Sequence, residues 1–387
     1  MNPERYAQIK KRFVDFADEH IAPRSADRDR TGSFDHKLWQ RLSDSGFWRL
    51  GVPRDLGGDG GGIWDQVAAF EGLARGANDC GFVLSAAAHA GLMQLLLRHG
   101  TVEQQKRLLP GLMSGQVGAT ASTEASGGSH VAGIKTSAVR DPDGAFLLSG
   151  EKSHITNAPV ADVVMIVGRV PAAGPKDITL FLVEKGQGGL TFGEHEDLLG
   201  LRTSPLGPIA LDNVRVTEER LVGGVGEGLD KLYWCLTFDR LIYGIVVASH
   251  VERLLHLAAD RSLRRQAFGA PLAAHQYIQD KLVRMKLTIE ASRALAHVAL
   301  KALDSGAPSA SSLASCVKLL SAEGIVDASM ELVQIFGHIG TEKSYGIERH
   351  LRDAVAFKIA GGTNEMQKKN IFKHVMREFQ GELPEEV

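Results

Sequence analysis

A carboxylate beside a guanidinium, Asp239-Arg240, interrupts the most apolar stretch of the chain, with Leu236, Phe238, Leu241, Ile242 and Tyr243 around it. Burial among such neighbours raises a carboxylate pKa toward the range of a general base, while the adjacent cation lowers it. The same pair also reads as a structural ion pair. The segment Thr120-Ala-Ser-Thr-Glu-Ala-Ser-Gly-Gly-Ser-His130 concentrates small hydroxyls and glycines. It can bring backbone N–H groups and hydroxyls against a polar ring edge or a phosphate, or be an ordinary Ser/Gly loop. Gly150-Glu-Lys-Ser-His-Ile-Thr-Asn157 reads as a strand entering a turn, with His154 and Thr156 alternating about Ile155 and so sharing a face. Arg265-Gln-Ala-Phe-Gly-Ala-Pro-Leu-Ala-Ala-His-Gln276 reads as a cationic turn between helices. Gln334-Ile-Phe-Gly-His-Ile-Gly340 and Ala360-Gly-Gly-Thr-Asn-Glu365 are glycine breaks in helical sequence, each marking a close approach or a helix C-cap.

Other chemistries are missing. No GxGxxG follows a strand-like run, no Gly-Lys dipeptide occurs, and HExxH and GxSxG are absent. The common nucleotide loops, a zincin and a serine-hydrolase elbow are therefore excluded. The only cysteines, Cys80, Cys235 and Cys316, form no CxxC pair, so neither a metal site nor a disulfide framework is expected. With 44 Lys and Arg against 46 Asp and Glu, the chain lacks the basic excess of a nucleic-acid binder.

The elements that must position these residues fall into three zones. The 387 residues, 44% hydrophobic and 23% charged, predict a globular chain of two or three domains. Residues 1–118 read as helices joined by glycine-rich turns, among them Trp64 to Ala77 and Gly81 to His99, with Thr101 and Gln104 spaced as a capping box. Residues 119–225 carry short β-type runs (Ala145 to Ser149, Val163 to Val167, Ile178 to Val183, Leu211 to Val216) without helices between them, which predicts an antiparallel sandwich or barrel. Residues 226–387 predict an up-down four-helix bundle: Leu229 to Arg264 as one helix or two, then Gln276 to Ser305, Ser309 to Gly337 and Ile347 to Phe379. The fold class is thus α+β. The charged start MNPERYAQIKKRF has no apolar signal core, and Asp239 and Arg240 divide the longest apolar run, so no membrane span is expected and the chain reads as cytoplasmic.

Taken in order, these segments resemble the acyl-CoA dehydrogenase family, flavoproteins that oxidise acyl thioesters. The resemblance is carried by Gly57-Gly58-Asp59-Gly60, the run from Gly100 to Lys106 with Leu109-Pro110, Thr123-Glu124 with Gly128-Ser129, Lys152 with Ile155-Thr156-Asn157, Arg265 to Gly269 with Gln276, and Gly362-Thr363-Asn364-Glu365. It implies FAD held between the β domain and the bundle of a homotetramer (a dimer of dimers). Thr120, Ser122 and Thr123 match the stretch along the flavin ring, Ser129 the serine at the pyrophosphate and thioester entrance, and Thr156 the threonine beside flavin N5. Arg265, Phe268 and Gln276 match residues holding a FAD across the dimer. Gln334, Gly337 and His338 match the partner segment at the adenosine end, and Thr363 and Glu365 the terminal FAD contacts.

Departures from the family pattern carry information. His154 replaces the usual aromatic beside the flavin, giving a more polar flank that is able to titrate. His130 replaces an aspartate, and His338 a glycine. Gly361 stands where many members carry their catalytic Glu, leaving room for a bulkier acyl group. A minority of the family, isovaleryl-type and carrier-linked prolyl dehydrogenases among them, carry the base on the first bundle helix as a Glu before an Arg, which Asp239 before Arg240 resembles. The implied reaction is α,β-dehydrogenation of an acyl thioester, with the α-proton to Asp239, the β-hydride to flavin N5, and Ser129, Arg240 and Gly361 lining the substrate. An electron-transfer flavoprotein or another acceptor would reoxidise the flavin. Gly76 to Gly81 with Ala88-His89, and Ile155 to Asp162, resemble members of specialised metabolism acting on acyl or peptidyl carrier proteins rather than CoA. A flavin-dependent monooxygenase and a non-catalytic flavin-binding homologue remain as alternatives.

Overall fold

The computed structural model describes residues 2–174 and 176–380; the stretch 381–387 of the third zone lies outside the described residues. Six α-helices open the described chain: α1 (Pro3–His20), α2 (Ser25–Thr31), α3 (His36–Asp44), α4 (Ile63–Ala77), α5 (Cys80–His99) and α6 (Val102–Met113). Their starts follow from local chemistry. Asn2, Asp35 and Asp79 accept first-turn N–H groups of α1, α3 and α5, and Thr101 with Gln104 closes the reciprocal box on α6. Each such cap stabilises its helix by about 1 kcal/mol. The core beneath is aromatic, with Phe47 edge-on to both Phe13 and Phe70 at 5.0 Å between centroids.

Seven strands follow: β1 (Gly118–Ala121), β2 (Ser137–Arg140), β3 (Phe146–Thr156), β4 (Val163–Arg169), β5 (Ile178–Glu184), β6 (Leu190–Phe192) and β7 (Leu206–Val216). Their order is β1-β4-β2-β3-β7-β6, with β5 on the other edge of β4. The sheet is mixed rather than wholly antiparallel: β1 and the start of β2 run parallel to β4. Parallel neighbours need a crossover. Here the β2–β3 hairpin, not a helix, fills the connection between β1 and β4, so a search for crossover helices in the sequence misses it.

The remainder is helical. α7 (Gly228–Arg264) is one continuous helix, followed by a short hairpin of β8 (Gln266–Ala267) and β9 (Ala270–Pro271), then α8 (Gln276–Asp304) and α9 (Ala310–Phe336). The expected last helix divides into α10 (Glu348–Phe357) and α11 (Asn364–Gln380), because Gly361 and Gly362 between them take φ of +68° and +88°. α5 and α7 are long and apolar enough to cross a membrane, yet most of the apolar stretch of each is buried inside the protein, 89% of it in α5. They pack against each other, and the charged pair of α7 sits on this framework.

Candidate active site

A cavity of about 370 Å³ opens where the loop after β1, the first turns of α7 and the α10–α11 turn meet. Ser122, Thr123 and Ser129 form one wall, Arg240 and Gly361 the floor, and α11 the rim with His374 and Arg377. Three segments distant in sequence, one from the second zone and two from the third, thus converge on one space.

The first wall is held from below by a buried lysine. Lys152, fully buried in β3, donates to the Ser122 carbonyl at 3.2 Å and to Glu124 Oε1 at 2.8 Å. Glu124 also accepts from the Lys135 and Thr136 amides at 2.7 and 2.9 Å, and the Ser153 amide donates to Thr123 O at 3.0 Å. Burial pushes the Glu124 carboxyl up, but these donors outweigh it and hold it at about 2. An ion pair this buried contributes little net stability and much definition of geometry. It fixes the backbone that presents Ser122 and Thr123.

Lys318 does the same for the floor. It lies buried on α9 and donates to Lys358 O at 3.1 Å and Asn364 Oδ1 at 2.8 Å, closing the turn that carries Gly361 to Thr363. Arg240 Nε donates to the Gly361 carbonyl at 3.1 Å. Burial, then the neighbouring Arg240, push Lys318 down to about 8. Thr363 caps α11 through the Met366 amide at 3.3 Å, and Glu365 follows it, exposed in the first turn.

Asp239 points away from this charge. It is half-buried and turned toward α5, where a Cβ on Gly91 would stand 2.6 Å from Oδ1, so only glycine permits the approach. Oδ1 is sealed from solvent and has no hydrogen-bond partner. Burial raises the carboxyl to about 7, and Arg240 only moderates the rise. A group titrating near neutrality, with an unsatisfied oxygen, has the properties of a general base. Arg240 still acts on the Asp239 charge, while its Nε meets the Gly361 carbonyl.

The remaining residues divide by position. Thr120 stands on β1 with its hydroxyl buried and unpartnered, and Thr156 is half-buried at the end of β3. His154 does not follow from simple alternation. A register shift between Lys152 and Ile155 places it at φ +54°, exposed and paired with Glu196 at 2.9 Å. Arg265, Phe268 and Gln276 lie exposed in and around the β8–β9 hairpin, and Gln334, Gly337 and His338 lie exposed at the end of α9. None of these six borders the cavity, and neither do Thr120, His154, Thr156 or Asp239. The residues that sequence reasoning passed over are Gly91, Tyr243 and Lys318. Each had a signal: a glycine inside an apolar helix, a tyrosine one turn after the aspartate, and a lysine in an apolar face.

Three family models match the chain in order: the acyl-CoA dehydrogenase N-terminal domain over residues 3–116, the middle domain over 119–214 and the C-terminal domain over 226–376. The chain belongs to the acyl-CoA dehydrogenase family. It is 32% identical over 376 residues to a mitochondrial isovaleryl-CoA dehydrogenase of Solanum tuberosum, covering 96% of this chain and 90% of that protein. It is 31% identical over 345 residues to an L-prolyl-[peptidyl-carrier protein] dehydrogenase of Pseudomonas fluorescens, covering 88% and 90%. Among solved structures, the prolyl acyl carrier protein oxidase AnaB superposes with a TM-score of 0.92 at 29% identity over 97% of this chain and 99% of that one. A FAD complex of PigA superposes with 0.91 at 27% identity over 97% and 98%. The resemblance read from the motifs and the helix–sheet–bundle order both stand.

The residues present fit a flavin. Thr120 Oγ1 is a buried hydroxyl lacking a partner, and Ser122 and Thr123 are half-buried on the cavity wall. Thr123 is tied by its carbonyl to the strand carrying Thr156. A buried hydroxyl in want of a partner, next in sequence to hydroxyls on a cavity wall, matches a ring edge rich in acceptors.

Proposed function

We propose that this protein is an FAD-dependent dehydrogenase that introduces a double bond between the α- and β-carbons of an acyl thioester, with Asp239 as the base. The observation that carries the reading is the Asp239 carboxylate: one oxygen sealed against Gly91 without a partner, and a pKa lifted to about 7. FAD, held by Thr120, Ser122, Thr123 and Thr156, supplies the hydride acceptor when bound. Asp239 takes the α-proton. Arg240 anchors the Gly361 turn, so the thioester lies against a floor that does not shift. Ser129 marks the entrance, and the absence of a side chain at Gly361 leaves its space to Tyr243.

The thioester carrier in this reading is an acyl or peptidyl carrier protein rather than CoA, supported by the likeness to the Pseudomonas prolyl enzyme and to AnaB. The assembly is a homotetramer in which Arg265, Phe268 and Gln276 reach a neighbour's FAD, supported by their exposure and their distance from the cavity of their own chain. An electron-transfer flavoprotein or another acceptor reoxidises the flavin. The test is anaerobic mixing with CoA- and carrier-linked thioesters while following the oxidised-flavin absorption band. Bleaching by a carrier-linked acyl group supports the dehydrogenase and its carrier, and bleaching by CoA esters alone removes the carrier protein from the reading. No bleaching, with oxygen-dependent product once reduced flavin is supplied, replaces it with a monooxygenase.

A further inference from the structure

We propose that His89 and Asn157 are positioning residues that lock the two flavin-facing strands onto α5, the helix that also seats Asp239, so that one helix sets the placement of base against flavin. The inference rests on the reading of Asp239 as the base and of Thr120 and Thr156 as flavin contacts.

Both side chains are fully buried, and they meet at Gly118, the first residue of β1. The Gly118 amide donates to His89 Nδ1 at 3.0 Å, and its carbonyl accepts from Asn157 Nδ2, also at 3.0 Å. Asn157 Nδ2 donates a second time, to the Ser85 carbonyl on α5 at 3.0 Å. Gly118 stands two residues before Thr120, and Asn157 directly follows Thr156. The strands that carry these two hydroxyls are therefore tied to α5 and to each other within one buried cluster.

The cluster has little slack. A Cβ on Gly118 would stand 2.9 Å from Leu92 Cδ2 and 3.3 Å from His89 Nδ1, so glycine lets β1 approach the helix. The His89 ring is wedged against Trp39 and Trp48, at 5.2 and 4.3 Å between centroids. Burial pushes its pKa down to about 3, so the imidazole stays neutral and keeps its Nδ1 lone pair for Gly118. Asn157 holds φ +69°, a conformation that asparagine tolerates better than most residues, and its backbone amide donates to Pro205 O at 2.7 Å. The same helix carries the contact to the base. Gly91, two residues on from His89, lies against Asp239, and its carbonyl takes the Cys235 thiol of α7 at 3.7 Å. Dehydrogenation needs the base and the hydride acceptor aligned on one substrate at the same time. A buried helix bonded to the strands of one and packed against the other supplies that alignment.

The test uses the FAD-loaded enzyme with His89→Leu, which keeps bulk and removes the acceptor, and His89→Asn, whose Oδ1 restores it. Without the acceptor the Gly118 N–H is buried unpaired, and β1 shifts to relieve it. His89→Leu is expected to weaken FAD binding about tenfold and to move the oxidised-flavin absorption band, and His89→Asn to restore both. A wild-type FAD affinity and band in His89→Leu overturn the inference. In anaerobic mixing with a thioester that bleaches the wild type, His89→Leu is expected to slow bleaching about a hundredfold at saturating substrate, the scale of a misplaced reacting group. Added to Asp239→Asn, it should cost less than about threefold more, because a base that is gone cannot be misplaced. Fully additive losses overturn the inference, since the clamp then acts without regard to the base. Undiminished bleaching by Asp239→Asn overturns the base reading instead, and the flavin band alone then decides the clamp. If His89→Leu does not fold, Gly118→Ala, whose Cβ presses β1 off Leu92, takes its place under the same outcomes.

Discussion

The two ends of α7 differ in how complete they are. Near its start, Arg240 and Asp239 lie among groups that the same chain supplies: Gly91 from α5, Gly361 from the α10–α11 turn, and Lys318 from α9. At its far end, roughly 36 Å away at about 1.5 Å per residue, Arg265 and Phe268 stand in solvent, the phenylalanine 99% exposed at φ +50°. A large aromatic side chain held out of its own core in a backbone conformation disfavoured for it is a feature awaiting a partner. The near end is enclosed by its own chain and the far end stands exposed. The proposed function assigns chemistry to the first and cofactor retention between subunits to the second.

Substitutions should separate those roles. Asp239→Asn is expected to keep FAD and lose roughly a thousandfold in the rate of flavin reduction by substrate, the scale of a positioned general base. Retention of more than about a tenth of the rate would break the assignment. At the other end, Arg265→Ala should weaken FAD binding by roughly ten- to a hundredfold, the scale of a lost hydrogen bond from a charged donor. It should leave the Asp239 titration unmoved, and an unchanged FAD dissociation constant would remove the hairpin from cofactor binding. Lys318→Met should lower stability by about 1–3 kcal/mol, because Asn364 Oδ1 and Lys358 O lose their donor. Denaturant unfolding of the two proteins checks this, and equal midpoints would show the turn to be held without the lysine.

A smaller effect follows from linkage. The Asp239 carboxyl is raised in the folded state from about 3.8 to about 7, so the fold favours its neutral form. That contribution is fully present below the unfolded pKa and is lost as pH rises through about 7. Asp239→Asn should thus melt higher than the wild type at pH 8, the difference closing below pH 4. Melting curves that stay superimposed across this range would mean that Asp239 is not buried at this cost.

The sequence exposed the near end of α7 more fully than its surroundings. Asp239-Arg240 stood out as charge within an apolar run, and the loop from Thr120 to His130 as a concentration of hydroxyls, because both are local departures from pattern. Gly91, Tyr243 and Lys318 are ordinary residues locally, and their meaning lies in contacts to segments far away in sequence. The parallel pairing of β1 with β4 was hidden for the same reason, since a hairpin replaced the expected helix in the crossover. A bulge between Lys152 and Ile155 interrupts the period of two within β3, so that Lys152 and Ser153 are both buried just ahead of the exposed His154. The exposed set at the hairpin was legible only through family resemblance, since no group in its own chain explains it.

The most direct test of the central claim is the rate of substrate-driven flavin bleaching as a function of pH, measured for the wild type and for Asp239→Asn. The account predicts a wild-type rate that rises with pH and levels off above a midpoint near 7, where the carboxylate is ionised, and a variant rate that is low and flat throughout. A variant that follows the wild-type curve would contradict it and place the base elsewhere.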